Sequence, residues 1–450
     1  MRLRPRARLV GYPFVFFRNR RLQSAFENPE ENECCTLKVV AAGHERRFFL
    51  AIGKSVNGTI PLEGVGEGIR NRGVGVNRRE RVLTALDHEQ PDRVPIDFGS
   101  FSGATSINVR AYHLLLDFLG IKREPRVENT FIFTAAIDED ILDRFHVDTK
   151  SVKPSLPLSE FNGPEEFVDH AWEIKWRRST DYTYAPVEGP FQKILTPSPE
   201  DLKKYRWPSP CELEDPTRWR QNARKIRQIT NRALVGRLPM GIVSLAQILR
   251  GFEGWAVDLV LNRKFSEALH EKLTEIWIET AEVILDALGE DVDIVYFGDD
   301  YGAQNQTMLS PQMFRERIKP LLIQMIKRVR AKTKAKIVLH SCGSIYPLIE
   351  DFIDIGIDAL NPLQANAGNM DPRKIKEKAG NALTLWGGID THVILPKGTP
   401  KDVEEEVKRK IDILGDGGGY VLSADHNILI DVPPENLIAM FEAALKHGRY

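Results

Sequence analysis

His340 and Cys342 follow a short apolar run, residues 336–339, which has the composition of a buried strand. In an extended chain, residues two positions apart point to the same side, so these two side chains can converge on one point. An imidazole nitrogen and a thiolate sulfur together are typical zinc ligands. The same pair also suits a buried cysteine and a hydrogen-bonded histidine that end a core strand. The motif alone leaves both interpretations open.

The elements that must position these residues alternate between short apolar runs and amphipathic segments. The predicted strands are residues 94–98, 147–152, 233–238, 293–297, 336–339, 357–361, 383–386 and 420–423. Helical patterns lie between them, as at residues 265–288, 311–332 and 399–414. This alternation predicts an α/β fold, a single (β/α)8 (TIM) barrel. Residues 172–176 and 182–187 predict a β-hairpin inserted after the second strand.

Polar residues gather where these strands end, and in such a barrel the carboxyl ends of the strands carry the active site. They are Asp299 and Asp300 after strand four, Asn361 and Gln364 after strand six, Asp390 after strand seven, and Asp425 and His426 after strand eight. Their position favours the metal interpretation of His340 and Cys342. Gly387 and Gly388 predict either close backbone approach to a ligand or a simple turn.

The two adjacent aspartates and several other histidines can also be placed from the sequence. Asp299 and Asp300 are adjacent, so their side chains should diverge, with one facing the site and the other capping a helix or pairing with a base. Four other histidines, in helical or loop patterns, are predicted to lie on the surface. They are His113, His270, His392 and His447.

Composition limits the class of protein. The chain has 450 residues, 42% of them hydrophobic, and a net charge of -1, which gives no reason to expect nucleic acid as a partner. Its cysteines, Cys34, Cys35, Cys211 and Cys342, do not form a disulfide framework, which favours a cytoplasmic location. No apolar run approaches the ~20 residues that a membrane span needs.

Residues 1–76 differ from the rest of the chain. Seven arginines precede the first acidic residue, Glu27, and no sustained hydrophobic period follows. We interpret this segment as an atypical N-terminal extension, either disordered or the product of a misassigned start. Residues 77–450 are predicted to form the barrel domain, whose first helix is capped by Asn77 and Glu80.

Several motifs of residues 77–450 resemble the uroporphyrinogen decarboxylase (URO-D) superfamily of (β/α)8 barrels. They include Gly-Asp-Asp at 298–300, His-Ser-Cys-Gly at 340–343, Trp-Gly-Gly-Ile-Asp at 386–390 and Pro-Glu-Asn-Leu at 434–437. Classical decarboxylases of this superfamily carry Arg-Gln-Ala-Gly-Arg after the first strand. Here residues 97–103 contain no arginine, and Arg110 alone is a poor replacement for a substrate with eight carboxylates.

The resemblance is closer to the zinc-dependent, corrinoid-linked methyltransferases of the superfamily. It implies zinc at His340 and Cys342 and a third ligand after strand eight. The third ligand is a cysteine in that branch. At this position His426 is the first candidate here and Asp425 the second.

The other roles follow from the same resemblance and from position. Asp299, Asp300 and Asp390 are assigned to catalysis, since Asp299 or Asp300 could complete the shell or accept a proton, and Gln364, Gly387 and Gly388 to cofactor binding. The implied function is transfer of a methyl group between a corrinoid (cobalamin) on a partner corrinoid protein and a small thiol-type acceptor. The alternatives are a uroporphyrinogen decarboxylase of porphyrin biosynthesis and a non-catalytic barrel that binds a corrinoid.

Overall fold

The computed structural model describes residues 76–153, 155–160, 163–180 and 183–450. The extension predicted at residues 1–76 therefore lies outside the described part of the chain, apart from Val76. The strands are β1 (Arg126–Asn129), β2 (Thr134–Ala136), β3 (Thr149–Ser151), β4 (Leu156–Pro157), β5 (Glu166–Asp169), β6 (Ile174–Thr180), β7 (Thr183–Glu188), β8 (Ala233–Arg237), β9 (Ile294–Gly298), β10 (Lys336–His340), β11 (Ala359–Asn361), β12 (Thr384–Ile389) and β13 (Tyr420–Ala424).

The helices alternate with these strands along most of the chain. They are α1 (Arg78–Leu86), α2 (Val109–Phe118), α3 (Glu139–Arg144), α4 (Pro199–Lys204), α5 (Pro210–Leu213), α6 (Pro216–Ile229), α7 (Ile242–Arg250), α8 (Phe252–Leu261), α9 (Arg263–Leu288), α10 (Pro311–Met313), α11 (Lys319–Lys332), α12 (Ile349–Ile355), α13 (Pro372–Ala379), α14 (Ile394–Lys397), α15 (Pro400–Leu414) and α16 (Pro434–His447). Asn77 and Glu80 form the predicted reciprocal cap at the start of α1, each side chain accepting from the other's backbone N–H at 3.0 Å.

Seven strands form one parallel sheet in the order β13-β12-β11-β10-β9-β8-β3. The predicted first strand, residues 94–98, is reduced to a short bridging segment that is bonded on both sides. Leu422 N–H of β13 donates to Pro95 O at 2.9 Å, and Asp148 N–H donates to Ile96 O at 2.8 Å. The segment closes the sheet, which confirms the predicted (β/α)8 barrel.

Alternate residues of the barrel strands point into the barrel, as the period of two requires. The inward-facing core residues are Ala233, Val235, Ile294, Tyr296, Val338, Ala359, Trp386 and Val421. Val82 and Leu86 of α1 pack against this cluster from the amino-terminal ends of the strands. Phe101 and Ala104, from the loop after the bridging segment, join the same cluster.

The predicted insertion is confirmed as a three-stranded antiparallel sheet of β5, β6 and β7, between β3 and β8. Its first predicted arm, residues 172–176, begins two residues too early and is too short, because β6 spans Ile174–Thr180. Trp176 packs the insertion against the connection between β1 and β2. It is buried and packs edge-on against Phe131, with ring centroids 4.8 Å apart.

The helix predicted over residues 311–332 is present, but its hydrogen-bond pattern changes part-way along. A π-helical stretch, Phe314–Ile318, separates α10 from α11. Pro320 explains the interruption, because it has no N–H to donate to the preceding turn and its ring crowds that turn. Within the described residues, no helix is both long and apolar enough to cross a membrane.

Candidate metal centre

Strand β10 carries His340 and Cys342 to the mouth of the barrel. Val338 faces the interior, so His340, two residues later, continues the same inward column. The chain beyond the strand keeps Cys342 close, with His340 Nε2 3.1 Å from Cys342 Sγ. Both side chains are buried. The two predicted ligands therefore do converge.

Asn361 fixes the orientation of the His340 ring. It lies opposite His340 in the register between β10 and β11. Its Oδ1 is 2.6 Å from His340 Nδ1, and a carbonyl oxygen can only accept, so Nδ1 carries the proton. The lone pair then resides on Nε2, the nitrogen that faces Cys342. Metal-binding histidines have this arrangement, in which the second ring nitrogen donates to a fixed partner.

His426 joins this pair from the end of β13. One ligand atom each from His340, Cys342 and His426 lies within 4.8 Å of the others. The His426 ring is edge-on to that of His340, with centroids 6.1 Å apart. Burial, reinforced by His340, lowers the pKa of His426 to about 3, so its imidazole is neutral at neutral pH. A neutral imidazole is the form that binds a metal.

Cys342 needs a nearby cation to ionise. Burial, and next the charge of Asp300, raise the pKa of its thiol well above the ordinary range. Asp300 Oδ1 accepts from Cys342 N–H at 2.9 Å and lies 4.0 Å from His340 Nε2. Two imidazole nitrogens, one sulfur and an adjacent carboxylate form a donor set that fits zinc.

Asp299 points away from this group. Its carboxylate caps the start of α7, accepting from Val243 N–H at 3.1 Å and Ser244 N–H at 2.7 Å, and also from Tyr301 O–H at 2.8 Å. Burial raises its pKa to about 6. Adjacent residues at a strand end point to opposite sides, so Asp300 faces the site while Asp299 faces the helices. With its oxygens occupied, we no longer assign Asp299 a catalytic role.

Gln364 and Asp390 support the loop that follows Cys342. Gln364 Oε1 accepts from Gly343 N–H at 2.9 Å, and its amide nitrogen lies 3.3 Å from Asn366 Oδ1. Asn366 in turn donates to Asp390 Oδ1 at 3.0 Å. Gln364 therefore holds the loop that follows Cys342. Within the described structure it makes no hydrogen bond to the ligand atoms of His340, Cys342 or His426. Asp390 lies at the far end of this chain of contacts.

Gly387 and Gly388 are not where the sequence placed them. The seventh strand was predicted to end at residue 386, but β12 continues to Ile389, so both glycines lie inside it. Their carbonyls accept from Tyr420 O–H at 2.9 Å and from Lys410 Nζ at 2.8 Å. Gly387 and Gly388 have φ values of +110° and +103°, which favour glycine, and because both lie inside the strand the turn interpretation is wrong.

Sequence reasoning missed two features of this site and one buried histidine elsewhere in the barrel domain. Asn361 was noted at a strand end, but its role as the partner of His340 required the strand register. Asp425 and His392 lie in a separate group with Asp390. His270 was predicted to be exposed and is buried, because Trp255 Nε1 and Ser266 O satisfy its two nitrogens at 3.3 Å and 2.7 Å.

Comparisons with known proteins agree with this architecture. Residues 179–447 match the family model described as Uroporphyrinogen decarboxylase (URO-D). A uroporphyrinogen decarboxylase of Legionella pneumophila (strain Corby) is 24% identical over 187 residues, which are 42% of this chain and 50% of that protein. The chain thus spans about half the length of that relative. A uroporphyrinogen decarboxylase of Geobacter sulfurreducens is 26% identical over 281 residues, 56% of this chain and 77% of that protein.

A solved structure shares the fold over most of the chain. The methyltransferase from Methanosarcina mazei superposes with a TM-score of 0.57 and 19% sequence identity. The match covers 82% of this chain and 98% of that protein. At this level of identity the likeness supports the fold and does not extend to the reaction.

Proposed function

Since this chain belongs to the uroporphyrinogen decarboxylase family, we propose that it is a zinc-dependent methyltransferase of that family. The proposed reaction moves a methyl group between a corrinoid on a partner protein and a small thiol-type acceptor. The observation that carries the proposal is the convergence of His340, Cys342 and His426, whose ligand atoms lie within 4.8 Å of one another. The methyltransferase fold of the Methanosarcina mazei protein is compatible with it.

The residues of this chain would divide the work as follows. Zinc held by His340, Cys342 and His426 would supply a positive charge that lowers the pKa of Cys342 and of an incoming thiol. Asn361 keeps Nε2 of His340 unprotonated and correctly aimed. Asp300 is the candidate acceptor for the thiol proton, because its carboxylate lies 4.0 Å from His340 Nε2 and its side chain is 19% exposed, so water can carry the proton away.

The number of thiolate ligands on the proposed zinc affects which methyl acceptor the protein can use. The family's methyltransferases hold zinc with one histidine and two cysteines, whereas this chain offers one cysteine and two histidines. With one thiolate fewer, the metal is less electron-rich and a stronger Lewis acid toward a thiol or water. We therefore propose that the acceptor of this protein differs from the family's usual one.

Decarboxylation of a porphyrinogen is the second candidate, and the names of the curated relatives favour it. The loop after the bridging segment argues against it, because residues 97–103 offer no guanidinium to a polycarboxylate substrate. Asp97, at the start of that loop, is instead held in the barrel by Thr149 Oγ1 at 2.6 Å and Trp386 Nε1 at 3.0 Å. A non-catalytic corrinoid-binding barrel is the third candidate.

Metal content and turnover separate the three. We expect purified protein to carry about one zinc per chain, and Cys342→Ala to lose it together with thiol-dependent demethylation of methylcobalamin. Cys211→Ala is the matched control, since Cys211 is an exposed cysteine outside the site. Metal-free protein that turns over a porphyrinogen would establish the decarboxylase instead. Zinc without demethylation of methylcobalamin, across a panel of thiols, would support the non-catalytic barrel.

A further inference from the structure

A second group of ligand-type side chains lies beside the ends of β12 and β13. Asp390, His392 and Asp425 each offer one atom, and these atoms lie within 4.8 Å of one another. Asp425 is fully buried, Asp390 is half-buried and His392 is exposed. The group contains no sulfur, so its chemistry differs from that of the centre at Cys342.

Among the residues that the structure describes, one oxygen of the buried Asp425 carboxylate lacks a hydrogen-bond partner. Oδ1 accepts from Thr391 N–H at 3.0 Å and from Thr391 Oγ1–H at 2.6 Å. Oδ2 is buried and has no hydrogen-bond partner in the described structure. A buried carboxylate oxygen without a donor is costly, so this oxygen calls for a cation or an ordered water.

The neighbouring residues are held in place by the turn between β12 and α14. Asp390 Oδ1 accepts from His392 N–H at 2.6 Å, Val393 N–H at 3.0 Å and Asn366 Nδ2 at 3.0 Å. In the described structure all three bonds go to the same oxygen, which leaves Oδ2 to face other groups. The side chain of His392 stands at the surface, so an ion and its waters can reach the group.

We propose that Asp390, His392 and Asp425 form a site for a divalent first-row cation, separate from the zinc centre. Two carboxylates and one imidazole suit Mn²⁺ or Fe²⁺, whereas a thiolate site suits zinc. Three protein ligands leave coordination positions open on the exposed side, where water or an oxygen-bearing small molecule would bind.

The two centres use neighbouring residues without sharing one. His426 packs against His340, with ring centroids 6.1 Å apart, while Asp425 bonds to Thr391. The ligands of the second site are therefore not those of the first, although the charge of Asp425 acts on the thiol of Cys342 and that of His392 on the imidazole of His426. A metal-binding experiment must therefore distinguish an ion at His392 from an ion at Cys342.

Manganese is the probe. The full-length protein is stripped of metal, reloaded with an equimolar amount of zinc and titrated with Mn²⁺, while the electron paramagnetic resonance signal of free Mn²⁺ is followed. We expect about one Mn²⁺ to bind per chain, and His392→Gln to weaken that binding about tenfold or more. His392 is exposed, so this variant leaves the core intact. His113→Gln is the control, because His113 is also exposed and lies 3.5 Å from the carboxylate of Asp117.

A third variant separates this site from the proposed zinc centre. Cys342→Ala should still bind about one Mn²⁺ per chain, although the affinity can shift because the charge near Asp425 changes. Loss of Mn²⁺ binding in Cys342→Ala would place the ion at the other centre and overturn the proposal. Equal Mn²⁺ binding by His392→Gln and the unaltered protein, or no binding by either, would also overturn it. Failure of the zinc centre alone would leave about one Mn²⁺ bound per chain.

Discussion

The side-chain amide of Asn361 determines which ring nitrogen of His340 carries the proton. Asn361 is fully buried, and its Oδ1 lies 2.6 Å from His340 Nδ1. We expect Asn361→Leu to weaken zinc binding about 10- to 100-fold, because the ring loses the partner that orients it and sets its tautomer. Competition with a chromophoric chelator measures the affinity. Asn361→Asp is the control, since its carboxylate still accepts from Nδ1, and it should retain zinc. Equal affinities for all three proteins would exclude this role of Asn361.

A second histidine affects stability through pH. Burial lowers the pKa of His270 to about 4, and the unfolded chain has a histidine pKa of about 6.5. As the pH falls through this interval, the unfolded chain binds a proton that the folded protein does not. The free energy of unfolding should therefore fall by roughly 3 kcal/mol from this residue between about pH 6.5 and about pH 4. The stabilisation is complete above about pH 6.5.

Urea unfolding at about pH 5 and about pH 7.5 measures the His270 contribution as a difference between proteins. His270→Gln has no ionisable group and keeps a donor and an acceptor, so it should lose less stability on acidification than the unaltered protein. His113→Gln, at an exposed histidine, should behave like the unaltered protein. A pH response of His270→Gln that equals that of the unaltered protein would contradict the assignment.

The conformation of the turn after β10 positions Cys342 beside His340. Gly343 has a φ of +84°, and a Cβ there would lie 2.7 Å from Gly302 C and Ala303 O. Gly343→Ala therefore has to shift the backbone of this loop. We expect it to lower the free energy of unfolding by on the order of 3 kcal/mol and to weaken zinc binding. Urea unfolding and chelator competition measure the two effects.

Gly120 provides the matched control for that substitution. Its φ is +73°, but no atom of the described residues lies within 4 Å of the Cβ it would gain. Gly120→Ala should therefore cost only the backbone term, about 1–2 kcal/mol, and leave zinc binding unchanged. If both alanine variants lost the same stability and kept the same zinc affinity, close packing at Gly343 would not be the cause.

The sequence predicted local features better than contacts between elements. The period of two was enough to predict that His340 and Cys342 converge and that Asp299 and Asp300 diverge. It was not enough to find the end of β12, because glycines weaken a strand pattern while pairing with β13 extends the strand to Ile389. It also misplaced His270, whose burial depends on a tertiary contact with Trp255.

The barrel fold brings together residues that are distant in sequence. Eight predicted strands were sufficient for the fold, and the carboxyl ends of β10 and β13 were expected to carry the ligands. The sequence leaves Asp425 and His426 as alternatives for the third ligand, since both follow β13 in a loop without a regular period. The structure brings His426 into the group with Cys342 and leaves Asp425 with Asp390.

The opposite end of the barrel holds the bridging segment in place. Asp148, just before β3, is fully buried and accepts from Ile96 N–H at 2.8 Å. The same carboxylate pairs with Arg81 Nη1 at 2.7 Å and with Arg93 Nη1 at 2.8 Å. One side chain therefore ties the closing segment to α1 and to β3.

Replacing this carboxylate should destabilise the barrel without affecting the proposed zinc site. Asp148→Asn keeps the shape of the side chain but leaves two largely buried guanidinium groups without their shared charge, so we expect a loss of about 3–5 kcal/mol in the free energy of unfolding. The exposed pair Lys408–Asp412 is the control, and Asp412→Asn should cost less than about 1 kcal/mol. Urea unfolding measures both losses. The zinc affinity of folded Asp148→Asn should be unchanged, because Asp148 lies at the amino end of β3 and His340 at the carboxyl end of β10. Weakened zinc binding in that variant would mean that the two ends of the barrel are coupled.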